Sequence, residues 1–214
     1  MTPTAAPTET PMRSRSAAST LVLIIAAIAV LADGVQVFVM TTAYPLFTAT
    51  GLDGTIPVTY LPQIAEARLR EGTTPGSLAD VAVWLRVLSA TPTMIHGLTI
   101  AVAAGLVIRI MNRIARRQPF EPSVLRGWRR LAAVIIGGGL LQGVLNTVSW
   151  WVVFGPTNAP RPNHELPLGA DYQLIIGAFP YWPVFFIVTG VIAAAIGATF
   201  TAGAKLEREV EGVV

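Results

Sequence analysis

Four long runs of apolar residues, separated by polar segments, dominate the hydropathy pattern of this chain. They lie near residues 21–43, 91–111, 131–154 and 182–204. A helix rises about 1.5 Å per residue, so runs of about 20 residues reach across the roughly 30 Å of a hydrocarbon core. A membrane barrel would instead show many alternating segments of about ten residues, and the sequence lacks them. The pattern predicts an all-α membrane protein with four transmembrane helices.

The position of these runs predicts the domain organisation. Residues 20–205 form the four-span membrane domain. Residues 1–19 are rich in Thr, Pro, Ser and Ala, a composition that predicts a disordered cytoplasmic tail. Two external loops are predicted at residues 44–90 and 155–181, and residues 206–214 form a second short cytoplasmic tail.

The two predicted external loops contain short segments with strand chemistry. Residues 55–61 indicate a strand interrupted by a proline, residues 62–70 a short helix, and residues 171–177 a second strand. Two strands from two loops predict a small external cap with a short β pair. The alternative is that both segments lie unpaired along the membrane surface, because isolated strand pairs are only marginally stable in water.

Basic residues collect on one side of the predicted membrane. The chain carries 15 Lys and Arg against 12 Asp and Glu, a formal net charge of +3. Arginines are concentrated between Arg109 and Arg130, around the link that joins the second and third spans. Because cytoplasmic loops carry an excess of Lys and Arg, this link and both termini are predicted to lie in the cytoplasm. Arginines beside two spans favour the lipid bilayer as partner and argue against direct nucleic-acid binding.

The composition limits the chemistry that the chain can perform. It has no cysteine and only two histidines, which excludes disulfides and thiolate-bound metals and leaves little material for a histidine metal site. The sequence contains no phosphate-binding loop, nucleophile elbow or zinc-protease motif. We therefore expect no catalytic residues, no metal site and no cofactor, and a protein that is not an enzyme.

Polar residues inside the apolar runs form one candidate site. The cluster comprises Asp33, His96, Thr99, Gln142 and Asn146. Asp33 lies about 18 Å into the first span, and by depth its nearest predicted partners are Thr99, Gln142 and Asn146, with His96 about one turn away. A carboxyl group at this depth must face protein and find a partner or a proton. The cluster is either a proton-sensing or ion-coordinating site or a structural hydrogen-bond clasp between helices.

Two motifs in the predicted cytoplasmic segments resemble those of a known family. One is the basic turn Arg-Ile-Ala-Arg-Arg-Gln-Pro-Phe, which runs from Arg113 to Phe120. The other is a C-terminal pattern made of Phe200, Gly203, Leu206, Glu209, Glu211, Gly212 and Val214. Together with four spans and a long first external loop, they resemble the domain-of-unknown-function 2975 (DUF2975) family of bacterial membrane proteins. The resemblance covers residues 20–214.

The resemblance implies a cellular setting and a partner. It implies a multi-pass protein of the bacterial cytoplasmic (inner) membrane. Members of this family are often encoded beside small helix-turn-helix regulators, so the resemblance also implies a regulatory role with such a regulator as protein partner. Phe120 and Leu206 are apolar residues in otherwise charged segments and can dock the link against the tail or hold a partner. The predicted cytoplasmic interface comprises Arg113, Pro119, Phe120, Leu206 and Glu209.

Three functions of different classes remain open from the sequence. The first is a sensory, regulatory or interaction protein, whose external cap receives a signal that the cytoplasmic link and tail report. The second is an accessory subunit of a larger membrane complex, such as a transporter or a respiratory enzyme. The third is a small transporter that uses the polar cluster around Asp33.

Overall fold

Four long helices make up most of the structure, which is a computed structural model. The structure describes residues 17–46, 56–64, 67–74, 76–116, 121–154, 172–174 and 180–211. The helices are α1 (Ala17–Thr42), α2 (Val83–Ile114), α3 (Pro122–Phe154) and α4 (Val184–Glu211). Each is long and apolar enough to cross a membrane, by length and composition. The prediction of an all-α architecture with four long apolar helices is confirmed.

Every helix extends beyond the apolar run that predicted it. α2 begins at Val83, inside the predicted first loop, and continues through Pro92. α3 begins at Pro122, because proline is well tolerated at the first helical position. α4 continues to Glu211, through most of the segment predicted as a tail. Hydropathy identifies only the apolar part of a helix, so it does not predict the polar and charged turns at the helix ends. Most of the predicted N-terminal tail, residues 1–16, lies outside the described residues.

The helices pack mainly against their neighbours in the chain. In the described part of the molecule, the extensive helix contacts join α1 to α2, α2 to α3 and α3 to α4. α1 and α4 share no contact of comparable size. α1 is therefore attached to the helical domain chiefly through α2, and this limits which side chains its polar residues can reach.

A small cap of irregular structure covers one end of the helices, called here the cap end. It contains two 3-10 helices, Val58–Tyr60 and Leu78–Asp80, and two strands, β1 (Ala67–Leu69) and β2 (Tyr172–Leu174). The strands pair antiparallel, with Arg68 opposite Gln173. The opposite end of the helices, which carries Arg113, is called the arginine end.

The cap differs from its predicted local structure in two places. The described part of the predicted strand, residues 56–61, does not form one, because the backbone N–H of Tyr60 donates to the carbonyl of Pro57 and so closes a 3-10 turn. The described parts of the predicted helix 62–70 are not helical. Residues 62–64 form a turn, and residues 67–69 form β1, which pairs with β2 inside the predicted second strand segment 171–177.

A hydrophobic core fastens the cap to three helices. Val39 of α1, Leu85 of α2 and Val153 of α3 are buried together with residues from the cap. The cap contributes Ile56, Val58, Leu61, Ile64, Leu78, Val81 and Tyr172. Fully burying a large aliphatic side chain stabilises by about 1.5–3 kcal/mol. The cap is consequently packed onto the helices and does not hang from them by its chain ends alone.

Candidate functional site

A carboxyl group and an imidazole meet where α1 packs on α2. Oδ2 of Asp33 lies 2.7 Å from Nδ1 of His96. The Asp33 side chain is 16% exposed and that of His96 is 30% exposed. This pair is the one contact between an acidic and a basic side chain that the described residues show within the apolar helix segments.

Gly97 creates the space that the pair needs. A Cβ atom at this position would lie 3.2 Å from Asp33 Oδ2 and 3.3 Å from Asp33 Cβ. That separation is tighter than most Cβ contacts, so a side chain here would push α1 away from α2. The Asp33 carboxyl group thus reaches His96 because the next residue of α2 is glycine.

An aromatic contact extends the pair towards α4. The ring of His96 packs against Phe186 with ring centroids 4.8 Å apart and an interplanar angle of 37°. Contacts therefore run from α1 through α2 to α4, by way of Asp33, His96 and Phe186. A displacement of the imidazole would change its contacts with α4 as well as with α1.

The other members of the predicted polar cluster lie elsewhere. Thr99 is buried against α3, where it faces Gly138, and its hydroxyl donates to the carbonyl of Ile95 at 2.7 Å. Gln142 is half-buried, and its Oε1 has no hydrogen-bond partner among the described residues. The expectation that Thr99, Gln142 and Asn146 would lie nearest to Asp33 is therefore wrong. Counting residues along the spans put His96 about one turn away, but α1 packs on α2 so that the Asp33 carboxyl group faces Gly97 and contacts His96.

Asn146 belongs to a second polar cluster at the cap end. Its amide Nδ2 donates to the carbonyl of Tyr181 at 2.9 Å. Gln63 of the cap donates to Asn146 Oδ1 and to the carbonyl of Ser89, each at 3.4 Å. Ser149 donates to the carbonyl of Leu88 at 3.0 Å. These contacts tie the cap to α2 and α3 and join α3 to the segment that precedes α4.

Sequence reasoning missed two of the residues in this cap-end cluster, although one signal was present. Asn146 was identified, but Gln63 and Ser149 were not. Gln142, Asn146 and Ser149 recur at the spacing of one helix face, so α3 carries a polar stripe that its sequence shows. Gln63 had no such signal, because it lies in a segment whose local structure was predicted wrongly.

Arg86 of α2 lies close to Ser89 and is a buried charged residue, 8% exposed. Its Nε has no hydrogen-bond partner among the described residues. The hydroxyl of Ser89 and Oε1 of Gln63 are also buried without such a partner. A buried polar group without a hydrogen bond is costly. The apolar core of the cap must offset this cost.

The predicted cytoplasmic interface is only partly described. Arg113 Nη1 lies 2.8 Å from Glu121 Oε1 and also donates to Ser123. The pKa of Glu121 lies below its ordinary value, first because of a side-chain hydrogen bond with Ser123 and then because of the positive charge of Arg113. This pair joins the end of α2 to the start of α3.

The remaining interface residues show no such contact. Pro119 and Phe120 lie outside the described residues. Leu206 is 63% exposed and Glu209 is also exposed, so the described part of the chain covers neither of them. Docking of the link against the end of α4 stays a prediction.

Neither a metal site nor a comparison with known proteins adds to this description of the candidate site. Within the described ranges, no group of three or more His, Asp or Glu side chains is placed to hold a metal ion. No family model, curated protein or solved structure matches the chain. The resemblance to the domain-of-unknown-function 2975 family therefore stays a prediction that rests on the two motifs.

Proposed function

We propose that the chain is a multi-pass protein of the bacterial cytoplasmic membrane, with the cap outside and the arginine end inside. Its helices expose large apolar side chains, among them Leu31 of α1 at 69% and Phe185 of α4 at 85%. Contiguous apolar surface of this kind marks contact with a membrane or another protein. A lipid bilayer covers such surface along the whole length of four helices.

The two ends of the helices support this orientation. Aromatic residues that favour the membrane–water interface are exposed at the cap end, namely Tyr44, Trp84, Trp151, Tyr181 and Trp182. Arginines are concentrated at the other end, between Arg109 and Arg130. Positive charge favours the cytoplasmic side.

Within that setting the protein has a sensory and regulatory role. The observation that carries this role is the 2.7 Å contact between Asp33 and His96. A polar contact of this kind joins two helices in apolar surroundings, where each of its side chains needs a partner. Because α1 is attached chiefly through α2, this contact governs how firmly α1 is held.

The direction of the effect follows from the contact. While Asp33 is bonded to His96, α1 is held on α2. Separation of the two side chains leaves the carboxyl group without this partner in apolar surroundings, which is costly. A signal that separates them therefore loosens α1.

The cap is placed to influence the same helix face. Gln63 contacts the carbonyl of Ser89, and His96 follows Ser89 by two helical turns. A signal that moves the cap thus acts on the segment of α2 that carries the imidazole. The arginine-end link and the end of α4 then report the change to a cytoplasmic partner, for which a helix-turn-helix regulator is the proposed candidate.

The test is the distance between α1 and α4 with the contact present and with it removed. The chain has no cysteine, so spin labels can be attached at Ala18→Cys and Ala202→Cys, both exposed positions on the arginine-end halves of these helices. In lipid nanodiscs, we expect Asp33→Leu to lengthen the interspin distance, because leucine cannot hydrogen-bond to His96. The same labels in Asp33→Asn should report the wild-type distance, because an amide can still hydrogen-bond to Nδ1 of His96.

The matched control removes the other contact between an acidic and a basic side chain. Glu121→Gln should leave the distance as in wild type, because Glu121 contacts Arg113 and so joins the end of α2 to the start of α3. In the sensory role, Asp33→Leu should also lower the recovery of a cytoplasmic partner from native membranes. A wild-type distance in Asp33→Leu, or unchanged recovery of that partner, would refute the sensory role.

One observation favours a second function, that of an accessory subunit. α1 and α4 share no extensive contact, so both keep a long apolar face available for another membrane protein. Affinity purification from native membranes in mild detergent separates the two functions. Recovery of a large complex in fixed stoichiometry favours the accessory subunit, and recovery of a small cytoplasmic regulator favours the sensor.

A further inference from the structure

A groove lined by arginines lies between the end of α2 and the start of α3. It consists of two adjoining cavities with volumes of about 590 Å³ and about 220 Å³. Arg109 and Arg113 line both cavities. Asn112, Arg116 and Glu121 complete the larger one, and the smaller one continues along the first turns of α3.

The groove has far more positive than negative charge. Its arginines are Arg109, Arg113, Arg116, Arg126 and Arg130. Glu121 is the acidic residue among the described lining residues, and it is engaged by Arg113 at 2.8 Å. The other arginines have no carboxylate partner in the described part of the chain. Such a site attracts an anion with more than one negative charge.

The floor of the smaller cavity is apolar. It is lined by Leu106, Ile110 and Gly127. α2 and α3 touch here, since a Cβ atom on Gly127 would lie 2.9 Å from Cγ1 of Ile110. A charged rim above an apolar floor suits a ligand that is anionic at one end and apolar at the other. A free phosphate has no part that would occupy the floor.

We propose that this groove binds the head group of a phospholipid that carries two phosphates. One phosphate lies in each cavity, and the shared Arg109 and Arg113 lie between them. Glycerol and the first acyl carbons rest on Leu106 and Ile110. Basic pockets between helices at the cytoplasmic side of a membrane are suited to such head groups. The proposal rests on the membrane location and orientation proposed above and is independent of the sensory role.

The chain supplies a matched control for charge. Arg126 and Arg130 line the groove, whereas the exposed Arg129 on the same turns of α3 does not line either cavity. Substituting Arg126 or Arg129 by Gln removes the same charge from nearly the same height. If the groove is the binding site, the substitution at Arg126 should weaken binding and the one at Arg129 should not. A diffuse attraction to positive charge would be weakened equally by both.

The experiment measures lipid binding to the purified full chain in detergent by native mass spectrometry. The probes are diphosphatidylglycerol, phosphatidylglycerol and inorganic pyrophosphate. We expect wild-type protein to bind diphosphatidylglycerol about tenfold more tightly than phosphatidylglycerol. Arg126→Gln should weaken binding of the diphosphate lipid about tenfold, while Arg129→Gln should change it less than about twofold.

Three results would overturn the proposal. Equal losses in Arg129→Gln and in Arg126→Gln would mean diffuse charge attraction. Competition by pyrophosphate at concentrations similar to those of the lipid would mean a site for free anions. Equal affinity for the two lipids would mean that the second phosphate is not recognised. If Arg126→Gln does not fold, Arg109→Gln replaces it, because Arg109 lines both cavities.

Failure of this proposal can be told apart from failure of the proposed function. Asp33→Asn should bind the lipid as wild type does, because Asp33 contacts His96 and does not line the groove. Extraction of the protein from cells without detergent would contradict the membrane location itself. A detergent-dependent protein that binds neither lipid contradicts the groove proposal alone.

Discussion

At the residue scale, two polar side chains inside the helical domain pack against glycines of the neighbouring helix. Asp33 of α1 faces Gly97 of α2, and Thr99 of α2 faces Gly138 of α3. Small residues let helix backbones approach closely. The Asp33 carboxyl group placed at such a position joins α1 to α2, whereas the Thr99 hydroxyl donates to Ile95 within α2. Each glycine thus sets both the helix spacing and the position of one polar group.

This arrangement predicts a specific effect of adding one methyl group on α3. In Gly138→Ala, the new Cβ would lie 2.6 Å from Thr99 Cγ2 and 3.0 Å from Thr99 Cβ, so α2 and α3 must separate. We expect a loss of about 1–3 kcal/mol in the free energy of unfolding, measured in detergent. Gly137→Ala is the control, since nothing lies within 4 Å of its Cβ position.

The contrast between these glycine variants can fail in a recognisable way. Thr99→Ala in the Gly138→Ala background should recover much of the lost stability, because it removes the atoms that clash. Equal stability of Gly138→Ala and Gly137→Ala would show that α2 and α3 do not approach as described.

The sequence identified Asp33 and His96 as candidates but placed His96 about one turn away and put other residues nearer to Asp33. Hydropathy and residue counting place a polar group at a depth in a span, and both residues were placed in the interior on that basis. Which helix lies beside which depends on tertiary packing, and an alternation of glycines and alanines along α2 does not reveal it. The partner of Asp33 therefore needed the structure.

At the scale of elements, the long helices were predictable and the cap was not. Four apolar runs specify helices because in lipid every backbone polar group must be bonded within its own segment. Short apolar stretches carry no such constraint, and their periodicity does not separate strand from turn. Residues 55–61 therefore suggested a strand, although Pro57 and the carbonyl geometry produce the 3-10 helix Val58–Tyr60.

The element-scale prediction concerns Asn146. This residue of α3 bonds to the cap and also to Tyr181, in the segment that precedes α4. Asn146→Ala removes the acceptor of Gln63 and the donor to the carbonyl of Tyr181. We expect the opening free energy of residues 56–64 to fall by about 1–3 kcal/mol, measured by hydrogen exchange with mass spectrometry.

The control is the next residue along the chain. Thr147→Ala loses only a hydrogen bond to Gly143 within α3, so exchange in the cap should stay as in wild type. If both variants change hydrogen exchange in the cap equally, Asn146 does not hold the cap. If neither variant changes hydrogen exchange there, the apolar core alone holds the cap on the helices.

At the scale of the whole molecule, two features separate the ends of the helical domain. A packed cap with exposed aromatic residues lies at one end, and an arginine-lined groove lies at the other. The proposed sensing pair and the proposed lipid site both depend on a bilayer that surrounds the helices between these ends. The orientation of the molecule in that bilayer is therefore the claim on which the rest depends.

Cysteine accessibility in intact cells tests that claim most directly. Thr74→Cys places a thiol on an exposed position of the cap, and Ala115→Cys places one on an exposed position at the arginine end, in a chain without other cysteines. With a membrane-impermeant maleimide, the thiol at position 74 should react in intact cells. The thiol at position 115 should react only after the membrane is opened. Labelling of position 115 in intact cells, with position 74 protected, would contradict the proposed orientation.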